Sequence, residues 1–84
     1  MTLSVYDVTL VGADPKGRFQ EIYRVLAFSN DTAETLARAS AALKDFAVIE
    51  SSVAATDFAP PEEGPDDFPR VISTGQRNYT HLHG

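Results

Sequence analysis

The stretch at residues 5–28 reads VYDVTLVGADPKGRFQEIYRVLAF. Two segments rich in β-branched and aromatic residues, 3–11 and 19–28, flank the turn sequence Asp14-Pro15-Lys16-Gly17. This pattern predicts an antiparallel hairpin, because proline presets the first central backbone angle of such a turn and glycine tolerates a positive φ. Apolar side chains occur on both faces of the second segment, so alternation alone leaves open which face is buried.

A helix is predicted after the hairpin, at about residues 32–44. Asp31 is followed three residues later by Glu34, and this spacing of a capping box indicates that Asp31 is the N-cap. Lys44 falls in the last turn, where a cation complements the helix dipole. The face expected to pack on the sheet is small and mostly alanine, and consists of Ala33, Leu36, Ala37, Ser40 and Leu43.

A third strand is predicted from Phe46 to about Ala55. A right-handed crossover through the helix makes it parallel to the second strand, and pairing beside the first strand yields the sheet order 2-1-3. Residues 70–74 predict a short edge strand. The expected class is α+β, with a three- to four-stranded, mainly antiparallel sheet and one helix packed on one face, in the order β-β-α-β-(β).

The chain is expected to form a single domain, since it has only 84 residues. Residues 1–59 are predicted to form the β-β-α-β core, residues 60–69 an acidic proline-rich connector, and residues 70–84 the edge strand and a tail. A single helix leaves one sheet face uncovered, which is typical of a partner surface or a homodimer. The alternative is that the loop and tail fold back over this face, with Phe58, Phe68 and Tyr79 as anchors.

Composition excludes several classes of function. Twelve acidic and seven basic residues give a net charge of −5, which opposes direct nucleic-acid binding through neutralised phosphates. The absence of cysteine excludes disulfides and thiolate chemistry. The chain has neither a secretory signal at Met1 nor an apolar run of the roughly 20 residues that span a bilayer. A cytoplasmic protein without membrane contact is therefore expected.

Catalytic and metal-binding patterns are weak in this chain. Its two histidines, His81 and His83, lie in the predicted tail, and two ligands do not make a closed metal site. The glycines are isolated from one another, so none forms a phosphate-binding loop. We therefore expect no enzymatic activity, no cofactor and no metal site.

The acidic connector is the strongest candidate for a binding site. Residues 60–69 read PPEEGPDDFP and hold four carboxylates and no base. Prolines reduce the entropy that such a segment loses on docking, and a row of carboxylates at about one phosphate spacing could mimic a nucleic-acid backbone against an Arg/Lys surface. A solvated loop that keeps the protein soluble is the alternative. The partner-binding residues predicted here are Glu62, Glu63, Asp66 and Asp67, with Asp57 and Glu50 extending the row.

The layout resembles the small anti-CRISPR proteins that phages encode, several of which are acidic sheet-plus-helix domains. The features behind this are the hairpin at 5–28, the capped helix at 31–44 and the acid cluster at 62–67. The resemblance implies a non-catalytic inhibitor or adaptor that binds a basic surface of a CRISPR effector complex and blocks DNA binding. No site residue carries over, because these proteins share no motif. The alternative function is a structural or assembly module that homodimerises through its uncovered sheet face or edge strand.

Overall fold

The computed structural model describes residues 3–44, 46–58 and 68–79. They form one five-stranded sheet whose paired strands are all antiparallel, with one helix, which confirms the expected α+β class. The elements are β1 (Ser4–Asp14), β2 (Gly17–Ala27), α1 (Asn30–Ala41), β3 (Val48–Ala55), β4 (Arg70–Thr74) and β5 (Asn78–Tyr79).

The strand order is β3-β1-β2-β4, and β5 pairs with β2. Both β2 and β3 run antiparallel to β1, so β3 is parallel to β2, as the strand–helix–strand order predicted. The predicted order 2-1-3 and the edge strand at 70–74 are confirmed. Irregular pairings interrupt the ladders between Val11 and Gly12 and between Arg24 and Val25.

The hairpin closes at Pro15 and Lys16, with Asp14 paired to Gly17. The Asp14 carboxylate accepts a hydrogen bond from the Lys16 backbone N–H at 2.8 Å, which ties the turn locally. Gly17 has a φ of 128°, a conformation that is strained for residues with a Cβ atom. The turn chemistry therefore sets the register of the whole β1–β2 pair.

The main core lies between α1 and one face of the sheet. Of the two faces of β2, the helix covers the one carrying Tyr23 and Val25, and the other is buried only at Leu26, which clusters with Leu3 and Val5. Small side chains let the helix lie close to the strands. The fully or largely buried members are Tyr6, Val8, Leu10, Tyr23, Val25, Ala27, Ala33, Ala37 and Ala41.

The prediction for the helix N-cap was wrong. Ser29 is the N-cap, and its hydroxyl accepts the Thr32 backbone N–H at 3.2 Å. The helix begins at Asn30, so Asp31 already lies in the first turn, where its charge faces the positive end of the dipole. Glu34 turns away from the cap and binds Arg38 instead.

The C-terminal end of the helix also differs from the prediction. The helix ends at Ala41, three residues early, and its last buried position is Ala41 itself. Leu43, expected on the buried stripe, is 89% exposed. Lys44 therefore lies beyond the last turn and binds a carboxylate of β2.

The tail prediction for residues 75–84 was wrong for its first part, because Asn78 and Tyr79 form β5 on β2, opposite Gln20 and Phe19. Residues 80–84 lie outside the described part of the chain.

The face of the sheet opposite the helix is partly covered by the segment after β3. Thr56 donates its backbone N–H and its hydroxyl to the Val5 carbonyl oxygen, at 3.1 and 2.9 Å. Phe58 then lies with its ring 4.1 Å from the Arg24 guanidinium. Of the proposed anchors, Phe58 folds back onto this face, whereas Tyr79 packs against Phe19 on the helix side.

Candidate functional site

A buried acidic residue is the centre of a hydrogen-bonded cluster at one end of the main core. Glu21 lies on the helix-covered face of β2, between the buried Phe19 and Tyr23, and is 3% exposed. Its carboxylate accepts hydrogen bonds from the Tyr23 hydroxyl at 2.8 Å, from Lys44 Nζ at 3.0 Å and from Arg77 Nε at 2.9 Å. A buried carboxylate requires such partners, because removing it from water is costly.

Arg77 connects this carboxylate to the hairpin turn. Its Nη1 atom lies 2.7 Å from Asp14 Oδ2, and the hydroxyl of Tyr79 also donates to that oxygen. The guanidinium stacks over the rings of Phe19, at 3.9 Å from the ring centroid, and Phe46, at 5.2 Å. This arrangement binds β5 and the preceding loop to the end of the hairpin.

The pKa values of these groups follow from the contacts. Burial alone raises the pKa of Glu21, but the hydrogen bonds from Arg77, Lys44 and Tyr23 outweigh it and hold the pKa below its usual value. The Tyr79 hydroxyl is the main cause that lowers the pKa of Asp14, and Arg77 adds to it. Both carboxylates are therefore ionised at neutral pH, and each has cationic partners. The cluster therefore stabilises the fold, because it joins Lys44 and Arg77 to β2 and to the hairpin turn.

The sequence prediction missed these residues, although the sequence contained a signal. Glu21 interrupts an otherwise apolar set on β2, and the C-terminal region after residue 69 holds two arginines and no acid. An acid at a core position requires a cation from elsewhere in the chain. Arg77 in that region was an available partner.

The predicted row of carboxylates is only partly within the described chain. Glu62, Glu63, Asp66 and Asp67 lie outside the described residues. Glu50 lies in β3 and Asp57 two residues beyond its end. An extended chain rises about 3.3 Å per residue, so the two side chains are about 23 Å apart at opposite ends of the strand. Glu50 is itself 3.5 Å from Arg18.

The charge of the described fold is balanced. Seven of the twelve acidic residues and all seven basic residues fall within ranges 3–44, 46–58 and 68–79, so the net charge of this part is zero. Five of those cations lie within 4 Å of a carboxylate that is itself among the described residues. The remaining five acids carry the whole net charge of −5, and they are Asp45, Glu62, Glu63, Asp66 and Asp67.

A shallow depression of about 320 Å³ lies on the sheet face away from the helix. Arg24 crosses it, with Nε 3.0 Å from Asp7 Oδ1 and Nη2 3.3 Å from Oδ2. Because this guanidinium is neutralised by Asp7 and stacked on Phe58, the depression offers no uncompensated charge to an ionic ligand. Its other lining residues are Ile22, Ser73, Thr74 and Gly75.

The two outer strands of the sheet differ in their protection. β4 has five residues, begins with Arg70 after Pro69 and has irregular pairing with β2. β3 is eight residues long, reads VIESSVAA and contains neither proline nor a basic residue. Short length, proline, charge and bulges are the features that keep edge strands from pairing with other chains. The β3 edge has only two of them, the charge of Glu50 and the irregular pairing near Gly12.

Comparison with known proteins adds no assignment. No protein-family model matches this chain, and no curated protein or solved structure matches it either. Within the described ranges, no group of three or more His, Asp or Glu side chains is placed to hold a metal ion. The one helix described, α1, is too short and too polar to cross a membrane.

Proposed function

We propose that this protein is a non-catalytic inhibitor or adaptor that binds a basic, nucleic-acid-binding surface of a larger complex through its acidic connector. Glu62, Glu63, Asp66 and Asp67 act as the mimic of a nucleic-acid backbone. The resemblance to anti-CRISPR proteins makes a CRISPR effector complex the first partner to test. The observation that supports the proposal is the charge balance of the described fold.

The balance matters because it determines which charges act at a distance. The seven acids of the described fold are matched in number by its seven cations, so their fields largely cancel beyond a Debye length of about 8–10 Å. The four acids of the connector are in excess of this balance. In the proposed function, this excess negative charge steers association with a basic channel.

The test replaces the connector acids with their isosteric amides. The variant E62Q/E63Q/D66N/D67N is compared with the wild type and with D31N, which changes an exposed acid of the helix. Binding to a purified CRISPR effector complex is measured by biolayer interferometry at low and high salt, with duplex DNA as competitor. If each exposed ion pair contributes about 0.5 kcal/mol, four of them weaken binding about 30-fold.

Three results support the proposal together: affinity falls steeply with salt, the quadruple variant binds about 30-fold more weakly, and D31N retains wild-type affinity. Binding by the quadruple variant at wild-type affinity contradicts it. If the effector complex does not bind the wild type, affinity capture with the two proteins from host lysate and mass spectrometry identifies any salt-sensitive partner. A lysate without a partner that distinguishes wild type from quadruple variant refutes the function.

A second candidate function is supported by a different observation. The unprotected edge of β3 favours a structural or assembly module that homodimerises. Light scattering separates the two functions, because a mass that rises with protein concentration and is insensitive to salt belongs to the assembly function. The two functions use different residues and can be tested independently.

A further inference from the structure

Among the described residues, no strand pairs with the outer side of β3. In an antiparallel ladder, alternate residues direct both their N–H and C=O groups toward the neighbouring strand. Thr56 directs its N–H to Val5 of β1, at 3.1 Å. By alternation, Ser51, Val53 and Ala55 direct their backbone groups away from β1, to the side on which the described sheet has no further strand.

Building on the assembly function above, we propose that the β3 edge pairs antiparallel with β3 of a second copy of this chain, about a two-fold axis at Val53. The irregular pairing near Val11 and Gly12 disturbs the first residues of β3, so the regular part is the segment from Ser51 to Ala55. Only an axis at Val53 uses the outward groups of this segment symmetrically. Roughly six backbone hydrogen bonds then join the copies into a continuous ten-stranded sheet.

Side chains on the helix-covered face match themselves in this register. Residues that are opposite each other in an antiparallel pair lie on the same face of the sheet. Val53 of one copy therefore meets Val53 of the other, next to the core that Val53 already contacts. Ser51 meets Ala55, a pair of small side chains that permits close approach of the strands.

The charges also favour a second copy over a charged partner. Glu50 is the one charged residue of β3, it lies 3.5 Å from Arg18, and in this register it is opposite Thr56 of the second copy. The two Glu50 side chains are about 20 Å apart, which is beyond the Debye length at physiological salt. The Glu34–Arg38 pair that hydrogen-bonds Ser51 is neutral as well. An edge without net charge can pair with the same edge of a second copy without repulsion, whereas a basic or acidic strand would find no complementary charge there.

The first experiment measures mass by multi-angle light scattering and sedimentation equilibrium from micromolar to millimolar concentration. Wild type is expected to pass from the 9.1 kDa monomer to a dimer of twice that mass. Ala55→Pro removes an outward N–H and none of the bonds to β1, so dimerisation is expected to weaken at least about tenfold while the melting temperature stays near that of the wild type. Ala54→Pro is the matched control, because its N–H faces β1 and its loss destabilises the monomer instead.

A charge-swap experiment keeps the test decisive if the proline variant does not fold. Ser52 is exposed. In the proposed dimer it lies diagonally across the seam, which is the line where the two β3 strands pair, from Ser52 of the second copy. Ser52→Lys and Ser52→Glu are each expected to weaken self-association several-fold. An equimolar mixture of the two is expected to restore it, because opposite charges then meet across the seam.

The outcomes distinguish the proposed β3–β3 pairing from the more general proposal that the protein homodimerises. A monomer at every concentration overturns both. A dimer that is unaffected by Ala55→Pro and by mixing of the Ser52 variants overturns the β3–β3 pairing alone. The sheet face opposite the helix is then the remaining candidate for the dimer surface. The quadruple acid variant must dimerise like wild type, since the connector acids are not part of this seam.

Discussion

The substitution Glu21→Gln tests how much the hydrogen-bonded cluster around Glu21 contributes to the free energy of unfolding. The amide keeps the shape of the side chain but removes the charge that faces Lys44 and Arg77. A hydrogen bond to a charged group contributes about 1.5–3 kcal/mol net, and Glu21 receives two from cations, at 3.0 and 2.9 Å. Lys44 is partly exposed and can turn to water, which reduces the loss. The expected decrease in the free energy of unfolding is therefore about 2–3 kcal/mol.

Urea denaturation at pH 7, followed by far-ultraviolet circular dichroism, measures this change. With a slope of about 1 kcal/mol/M for a small protein, the midpoint is expected to shift by about 2–3 M. Glu34→Gln is the matched control, because Glu34 also binds an arginine but is far more exposed than Glu21, so its ion pair contributes less. If Glu21→Gln shifts the midpoint no more than Glu34→Gln, the buried cluster does not stabilise the fold in the way proposed here.

Three further predictions concern stability and are checked by the same denaturation assay. Because the folded-state pKa of Glu21 lies below its usual value of 4.5, the stability it contributes is complete above that pH and is lost as the pH falls through the folded pKa; the gap between wild type and Glu21→Gln must close during acid titration. Gly12→Ala places a Cβ atom in steric overlap with the ring of Phe46 and is expected to cost about 1–3 kcal/mol; an unchanged midpoint contradicts that packing. Ser29→Ala removes the N-cap and is expected to cost about 1 kcal/mol, whereas Asp31→Ala, which leaves the cap in place, is expected to cost less; the reverse order would restore Asp31 as the cap.

The central part of the fold could be predicted from the sequence because local signals agree there. The turn at residues 14–17, the apolar strands on either side of it and the helix that follows all predict the same topology. The strand–helix–strand order makes β3 parallel to β2, and the predicted position of β3 beside β1 is confirmed in the structure. Agreement between turn chemistry, periodicity and chain connection is what makes a topology readable from one sequence.

The structure of the C-terminal part could not be predicted from the sequence in the same way. The position of β5 depends on contacts with side chains that are distant in sequence. β5 has two residues, too few for any periodic pattern. It is held by Arg77 and Tyr79, which reach Asp14 and Glu21 more than fifty residues away. Local propensity does not detect such contacts, and the unexplained acid at position 21 was the one available indication.

The helix N-cap illustrates a competition between two plausible signals. Ser29 and Asp31 are both favourable capping residues, and the spacing from Asp31 to Glu34 favoured the latter. In the structure Glu34 instead binds Arg38 and the hydroxyl of Ser51, so its side chain connects the helix to β3. A tertiary contact thus overrides a local motif, and the helix begins two residues before the predicted start.

The predicted binding residues remain a prediction from composition, since four of the six lie outside the described chain. What the structure adds is their context. The fold from residue 3 to residue 79, apart from residues 45 and 59–67, has as many acids as bases. The charge that gave the first indication of function is therefore confined to the connector and to Asp45.

The two proposed surfaces use different residues, so one molecule could use both. In the proposed function the acidic connector acts through charge, so its binding would depend on salt and its association rate would be steered over a distance of nanometres. The β3 edge acts through backbone hydrogen bonds and close packing of small side chains, so it is insensitive to salt and operates only at contact. A dimer through β3 also doubles the number of acidic connectors on one particle. If a basic partner presents two suitable sites, the second connector binds at a high effective concentration, and avidity then exceeds what four carboxylates alone provide. Ala55→Pro should therefore weaken binding to such a partner without changing its salt dependence per connector, whereas the quadruple amide variant should remove the salt dependence in both monomer and dimer.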